Sequence, residues 1–293
     1  MVSQNKWINV KRGFPCPICQ HSDWCSVTAD GKLTLCHRVP SDRPCTGKMG
    51  GWFHRLGGAR AMPPPRAAPK SQRTTEPFGA LLATWRHQRT TQMTFGLACR
   101  LGVFRSSIES LMFCYAPEHK AWAIPMYDAD MEIIGIRLRA ESGFKWAVEG
   151  GHNGVFTPSS GISCGGISGS PYMVCEGPTT AAALLTLGYQ DVIGRASCGT
   201  CVDIIKEIVS RDRRGVVIMA DRDEPKPLKN RPGGFFLPGQ EGAEKLAGEL
   251  TRLVPWTKIV YPLEGKDARD WLKAGATRGE VDAVISNTED FRA

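Results

Sequence analysis

Four cysteines crowded into residues 16–36 constrain this chain more than any other feature. Cys16-Pro-Ile-Cys19 sets two thiols three apart on a tight turn, where both can face one ion. Asp30-Gly31 signals a two-residue hairpin of type I′, and a hairpin centred there pairs residues whose numbers sum to 61, setting Cys25 opposite Cys36. Cross-strand Cβ atoms lie only ~4.5–5.5 Å apart. Cys16, Cys19, Cys25 and Cys36 can therefore close one tetrahedral Zn²⁺ site of the structural kind. A segment this small and polar lacks a core, and metal binding is how such a module folds. A second ligand set stays open: Cys16, Cys19 and Cys36 with His37, Cys45, His54 or His21. Clustered cysteines and a start without an apolar stretch point to a reducing, cytoplasmic setting. No apolar run approaches the ~20 residues of a membrane span.

The net charge of +8 is unevenly spread. Residues 1–75 hold twelve Lys/Arg against three Asp, so the head carries +9 and the remaining 218 residues −1. That asymmetry favours a polyanionic partner for the head. Trp24, Trp52, Phe53 and His54 interleave with these cations and have the chemistry to stack on bases, although Trp24 is expected to pack on the zinc core. The remaining cysteines sit mostly in apolar surroundings and read as small hydrophobes. Cys198-Gly-Thr-Cys201 is formally a CxxC, but no partner pair follows it.

Four segments emerge: a zinc-ribbon nucleic-acid module at 1–57, a Pro-rich linker at 58–77, a helical then strand-rich subdomain at 78–170, and an alternating region at 171–293. Helical spacing runs from Phe78 to Tyr115, and strand-like runs follow at Ala121–Tyr127, Glu132–Arg139 and Lys145–Val148. Beyond 171, strands at Tyr172–Cys175, Val192–Ala196, Val216–Ala220 and Lys258–Tyr261 alternate with helices at Pro178–Leu187, Cys201–Ser210 and Gln240–Leu253. Such alternation implies an α/β fold with a mostly parallel sheet flanked by helices. Neither Gly47-Lys48 nor Gly265-Lys266 has the surroundings of a P-loop, so no ATPase motor is encoded in this sequence.

Three acidic clusters follow three of those strands. Glu176-Gly177-Pro178 places a carboxylate at a strand end, then a glycine, then Pro in the first helical turn. Asp221-Arg-Asp223 repeats the design, and on an extended backbone two residues two apart point the same way. Gly265-Lys266-Asp267-Ala-Arg-Asp270 is the third, with Asp267 facing the same pocket and Asp270 capping the next helix. Ligands of open α/β sheets bind at such strand ends. Carboxylates there suit Mg²⁺ or Mn²⁺, which take one or two protein oxygens and keep waters for a phosphate to displace.

Glu176-Gly177, Asp221-x-Asp223 and Lys266-Asp267 resemble the TOPRIM signature shared by DnaG-type primases, topoisomerases and some nucleases. Upstream, Ile124-Pro-Met-Tyr-Asp-Ala-Asp, Ile134-Gly-Ile-Arg137-Leu-Arg139, Phe144-Lys145 and Gly154-Val-Phe156 resemble the basic N-terminal subdomain of phage and bacterial primases. The order zinc module, basic subdomain, TOPRIM covers nearly the whole chain. The resemblance implies Mg²⁺-dependent synthesis of short RNA primers from NTPs on single-stranded DNA, in phage or mobile-element replication within the cytoplasm of a bacterial or phage-infected cell, with a separate helicase as partner. It assigns Glu176 as catalytic or metal-positioning acid and Asp221 and Asp223 as Mg²⁺ ligands. Arg137, Arg139, Lys145 and Lys266 become binders of nucleotide phosphates and template. Rival readings are a TOPRIM nuclease and a non-catalytic DNA-binding module. Three departures stand out: Thr180 where the family often has an acid, no second CxxC after Cys36, and an insertion at Glu224–Gly239 that reads as a flap or a plain surface loop.

Overall fold

The computed structural model describes residues 7–11, 13–22, 24–45, 51–56, 76–162, 170–227 and 235–292. The chain divides into two compact units, Met1–Arg73 and Thr74–Ala293. The expected linker at 58–77 lies outside the described residues except for Glu76 and Pro77, which open a helix. Cys164 also lies outside them.

In the first unit β1 (Trp7–Asn9), β2 (Ser26–Thr28), β3 (Leu33–Cys36) and β4 (Trp52–Arg55) form an antiparallel sheet in that order. Ser26 pairs with Leu35 and Val27 with Thr34, so the register keeps the sum of 61. The turn itself is not type I′. Gly31 takes φ +69° while Asp30 does not enter the positive region. Gly31 N–H donates to the Thr28 carbonyl at 2.8 Å, and the Asp30 carboxylate accepts from Thr28 Oγ1 at 2.5 Å and from Lys32 N–H at 3.1 Å. The loop is longer than two residues but symmetric about the same centre, which is why the pairing is unchanged. Val10, Cys16, Cys25, Val27 and Cys36 form the buried centre. Trp24 does not join them: it takes φ +65° just before Cys25, and its side chain turns out to 78% exposure.

The second unit opens with α1 (Glu76–Gln88), α2 (Thr91–Leu101) and α3 (Arg105–Ser110). An antiparallel sheet follows, built from β5 (Cys114–Ala116), β6 (Ala121–Tyr127), β7 (Ile133–Ala140) and β8 (Lys145–Ala147) in that order. The helical spacing expected up to Tyr115 thus ends early. Met112 takes φ +55°, a conformation no helix continues through, and Cys114 pairs with Ala123. One face of this sheet packs Ile136 and Leu138 against Phe78, Leu82 and Trp85 of α1.

The remainder runs β9 (Tyr172–Glu176), α4 (Gly177–Thr186), β10 (Val192–Arg195), α5 (Val202–Arg211) and β11 (Val216–Met219). Then come a two-stranded ribbon, β12 (Lys226–Pro227) with β13 (Phe235–Phe236), and α6 (Pro238–Leu250), β14 (Thr257–Val260), α7 (Ala268–Lys273) and α8 (Arg278–Asn287). The ribbon occupies part of the insertion, whose residues 228–234 lie outside the described ones. β10, β9, β11 and β14 form a parallel sheet in that order. Its central strands are apolar up to Glu176 at the end of β9, because both faces are covered. Ala181–Leu184 of α4, Trp271 of α7 and Val281 of α8 pack on one face, with Leu97, Leu101 and Ile108 behind. Ile205 and Val209 of α5 and Leu246 and Leu250 of α6 cover the other.

Two features of this topology position a site. The chain leaves β9 for β10 on one side, then returns past β9 to β11 on the other, so the strand order reverses between β9 and β11. Crevices outside the carboxyl ends of parallel strands form at such reversals. In addition, Val155 bridges to Tyr127 and Phe156 to Gly194, which ties the antiparallel sheet to the edge of the parallel one. The approach is close: a Cβ on Gly154 would lie 2.5 Å from the Tyr127 carbonyl oxygen.

Candidate functional site

The zinc ligands assemble as the hairpin register requires. The ligand atoms of Cys16, Cys19, Cys25 and Cys36 all lie within 4.8 Å of one another. Cys19 Sγ is 3.7 Å from Cys25 Sγ, which is 3.9 Å from Cys36 Sγ. A tetrahedral ion with Zn–S bonds of about 2.3 Å spaces its sulfurs about 3.8 Å apart, so the cluster fits zinc. The knuckle is held by Cys16 N–H donating to the His21 carbonyl at 2.8 Å and Gln20 N–H to the Cys16 carbonyl at 2.9 Å. Val39 N–H points at Cys36 Sγ from 3.4 Å, the kind of outer bond that supports a thiolate. His21, His37, Cys45 and His54 fall outside the cluster, and His54 Nε2 is engaged with the Val39 carbonyl at 3.0 Å.

In the second unit a cavity of about 250 Å³ opens at the strand-order reversal. One wall is basic. Arg139 faces Lys145 across β7 and β8, and Arg137 lies two residues back on the same face, opposite the one packed on α1. Like charges set directly opposite destabilise a sheet, so this pairing needs a compensating partner. Burial and the nearby Arg139 pull Lys145 below an ordinary lysine, while Glu176 and Asp221 across the cavity counter the shift. Arg137 donates to Asn153 Oδ1 at 3.0 Å, and its buried Nε has no partner.

The facing wall carries Glu176, Asp221, Asp267 and Asp270 with the first turn of α4, Gly177–Thr180. Gly177 makes this turn possible, because the chain passes from strand to helix through φ +79°. Glu176 stands at the N-cap of α4 without capping it, and among the described residues its carboxylate has neither a hydrogen bond nor an ion pair. Asp221 lies just past β11. Burial, then Glu176 and Asp267, push its carboxyl up to about 7, and its buried Oδ1 has no partner. Among the described residues no three of these acids bring ligand atoms within 4.8 Å of one another. The free Glu176 carboxylate and the unpartnered Asp221 Oδ1 on one wall are nonetheless donors of the kind a hard divalent cation such as Mg²⁺ or Mn²⁺ takes, one or two at a time.

The remaining expected site residues are placed differently. Asp223 does not line the cavity with Asp221: the chain leaves β11 as irregular backbone, so the two-residue alternation of a strand does not continue. Its Oδ1 is 2.7 Å from Lys266 Nζ and its Oδ2 accepts from Gly239 N–H at 2.9 Å. Although burial works against it, these partners hold the Asp223 carboxyl below its usual range. Asp267 lines the cavity and is also the N-cap of α7, accepting from Asp270 N–H at 2.9 Å, so the capping expected of Asp270 falls to Asp267.

Two cations escaped the sequence reading. Arg269 lines the cavity, 3.4 Å from Asp270 and 3.7 Å from Asp267, and its place in the Gly265–Asp270 cluster was signal enough. Arg195 is 2% exposed, pairs in register with Glu176, and donates to the carbonyls of Cys198 at 2.6 Å and Gly242 at 3.2 Å. The formal CxxC resolves the same way: Cys201 Sγ contacts the Gly154 carbonyl at 3.2 Å, and neither Cys198 nor Cys201 joins a metal cluster. Thr180 lines the cavity and is 2% exposed where the resembling family often has an acid.

No protein-family model and no curated protein matches the sequence. Solved structures match the fold. The zinc-binding and RNA polymerase domains of the Aquifex aeolicus primase, 12% identical, superpose with a TM-score of 0.58 over 99% of this chain and 80% of that one. A DnaG catalytic core, also 12% identical, gives 0.56 over 74% and 80%. The DnaG primase catalytic domain bound to single-stranded DNA gives 0.55 over 74% and 78%, again at 12% identity. The fold is that of a DnaG primase core with its zinc-binding module. Among the described residues no helix is long and apolar enough to cross a membrane.

Proposed function

We propose that this chain is a primase, a DNA-directed nucleotidyltransferase that joins NTPs into short RNA primers on a single-stranded DNA template. The carrying observation is the two-sided cavity at the strand-order reversal, where an acidic wall holding an unpartnered carboxylate faces Arg137, Arg139 and Lys145. Glu176 and Asp221 would hold Mg²⁺ or Mn²⁺, which when bound supplies Lewis-acid stabilisation of the charge that develops on the transferring phosphoryl group. The basic wall neutralises the triphosphate or the template phosphates, where positioned cations act strongly in a water-poor cleft. Asp267 fixes the start of α7 and so the acidic wall's third edge. Lys266 and Asp223 form a pair at the rim whose charge reaches Asp221. The zinc head, with its positive charge and its exposed Trp24, supports a role in contacting template. A TOPRIM-type active site, template contact by the head and replication of a phage or mobile element all belong to this proposal.

The test is an incubation of the zinc-loaded chain with single-stranded DNA, labelled NTPs and Mg²⁺ or Mn²⁺. Labelled oligonucleotides that depend on template and vanish in Asp221→Ala are expected. Template cutting in place of synthesis would instead mark a nuclease, and salt-sensitive DNA binding with neither activity would mark a binding module.

A further inference from the structure

Two-metal phosphoryl-transfer sites hold ions about 3.5–4 Å apart, so a row of carboxylates serving both ions must have a free oxygen toward each end. The acids of this cavity offer that arrangement in sequence but not in their bonding. Glu176 and Asp221 face the cavity with no hydrogen bond or ion pair among the described residues, and the buried Asp221 Oδ1 is orphaned. Asp223, the acid at the other end, is 8% exposed and has both oxygens engaged, one by Lys266 Nζ at 2.7 Å and one by Gly239 N–H at 2.9 Å. Asp267 is held by the α7 cap and lies near Arg269.

The Lys266 side chain is 53% exposed, but it springs from a backbone that is tied down on both sides of the peptide unit. Its own carbonyl accepts from Arg222 N–H at 2.7 Å, midway between the two aspartates, and its N–H donates to Asp270 at 3.3 Å. Arg222 Nε in turn donates to the Pro262 carbonyl at 2.8 Å, so the Asp221–Asp223 segment and the Gly265–Asp270 turn are laced together. The fixed backbone sets the root of the side chain beside the outer end of the acidic row, and the 2.7 Å ion pair with Asp223 places the ammonium there.

From this we infer that the cavity takes one divalent cation, at Glu176 and Asp221, and that Lys266 stands where a second ion would contact Asp223. The inference rests on the proposed reading of the cavity as a divalent-cation site. A lysine in that place gives a fixed positive charge that needs no metal from solution, and it leaves Asp223 as a structural partner rather than a ligand.

Binding of Mn²⁺ alone to the zinc-loaded full chain, followed by the electron paramagnetic resonance of free Mn²⁺ without nucleotide, counts the ions directly. One tight ion per chain is expected for the native protein, two for Lys266→Met, and one again when Asp223→Asn is added to that variant. Asp223→Asn alone keeps one ion, whereas Asp221→Asn weakens it by more than about tenfold, the loss that removing even an outer partner of a ligand causes. Two ions in the native chain, or one ion unchanged in Lys266→Met, would overturn the substitution by lysine while leaving the cavity a cation site. No bound Mn²⁺ in the native chain or in any variant would remove the cation site itself.

Discussion

The two candidate metal sites of this chain are built on opposite plans. In the head, four sulfurs lie within 4.8 Å of one another, three of them on buried cysteines, and the backbone between them is a turn and a short hairpin. In the cavity no three ligand atoms converge that closely among the described residues. There burial, and then the neighbouring acids, push Asp221 up to about 7, and cations line the opposite wall. The first plan makes the ion part of the fold; the second leaves an ion, and whatever the ion brings, free to come and go. Structural and catalytic metal sites differ in this respect generally.

The largest effect that sharpens the contrast is loss of the head alone. Structural zinc supplies roughly 10–16 kcal/mol to modules of this size. Cys25→Ser or Cys36→Ser is expected to abolish one-to-one zinc and unfold the first unit while the second keeps its own thermal transition. Zinc content and calorimetry check this, and full zinc in Cys25→Ser would reopen His21, His37, Cys45 and His54 as ligands. Next in size, Asp221→Ala is expected to cut primer synthesis on the order of 100-fold or more, read as labelled product, with zinc content unchanged.

A smaller effect follows from proton linkage. The Asp221 carboxyl is raised in the folded chain from the ordinary 3.8 to about 7, so the folded state binds more protons than the unfolded one between those values. Stability of the metal-free protein therefore falls as pH rises from about 4 to about 7. Asp221→Asn removes the ionisation and is expected to be more stable than the native chain at pH 8, on the order of 2 kcal/mol after solvent relaxation. Saturating Mg²⁺ should erase most of that gain. Melting curves at pH 5 and pH 8 decide it, and a variant equally destabilised at both would contradict the electrostatic account. Smallest is Arg139→Ala, for which the logarithmic salt slope of single-stranded DNA binding should fall by about 0.7 per lost phosphate contact.

The head was legible because its constraint is local. A turn signal at Asp30-Gly31 fixes register by symmetry, and the register survives even though the turn type does not. Trp24 was misplaced because a left-handed φ at a non-glycine residue leaves no mark in composition. In the second unit, strand and helix spacing gave the parallel sheet and the strand-end positions of Glu176 and Asp221, since burial on both faces writes itself as apolar runs. The separation of Asp223 from Asp221 was not readable. It depends on α6 delivering Gly239 N–H, and on the Gly265–Asp270 turn delivering Lys266, to the same carboxylate across a long stretch of chain. Arg195 is hidden for a related reason: only the pairing of β10 with β9 puts it beside Glu176.

The contrast between a closed and an exchangeable metal is tested most directly by chelation. After brief treatment of the full chain with a chelator and removal of that chelator, zinc content and primer synthesis on single-stranded DNA are measured together, before and after adding Mg²⁺. The account predicts one retained zinc per chain, no synthesis without added Mg²⁺ or Mn²⁺, and full recovery on adding either. Synthesis that persists without the added ion, or that follows zinc content instead, would contradict it.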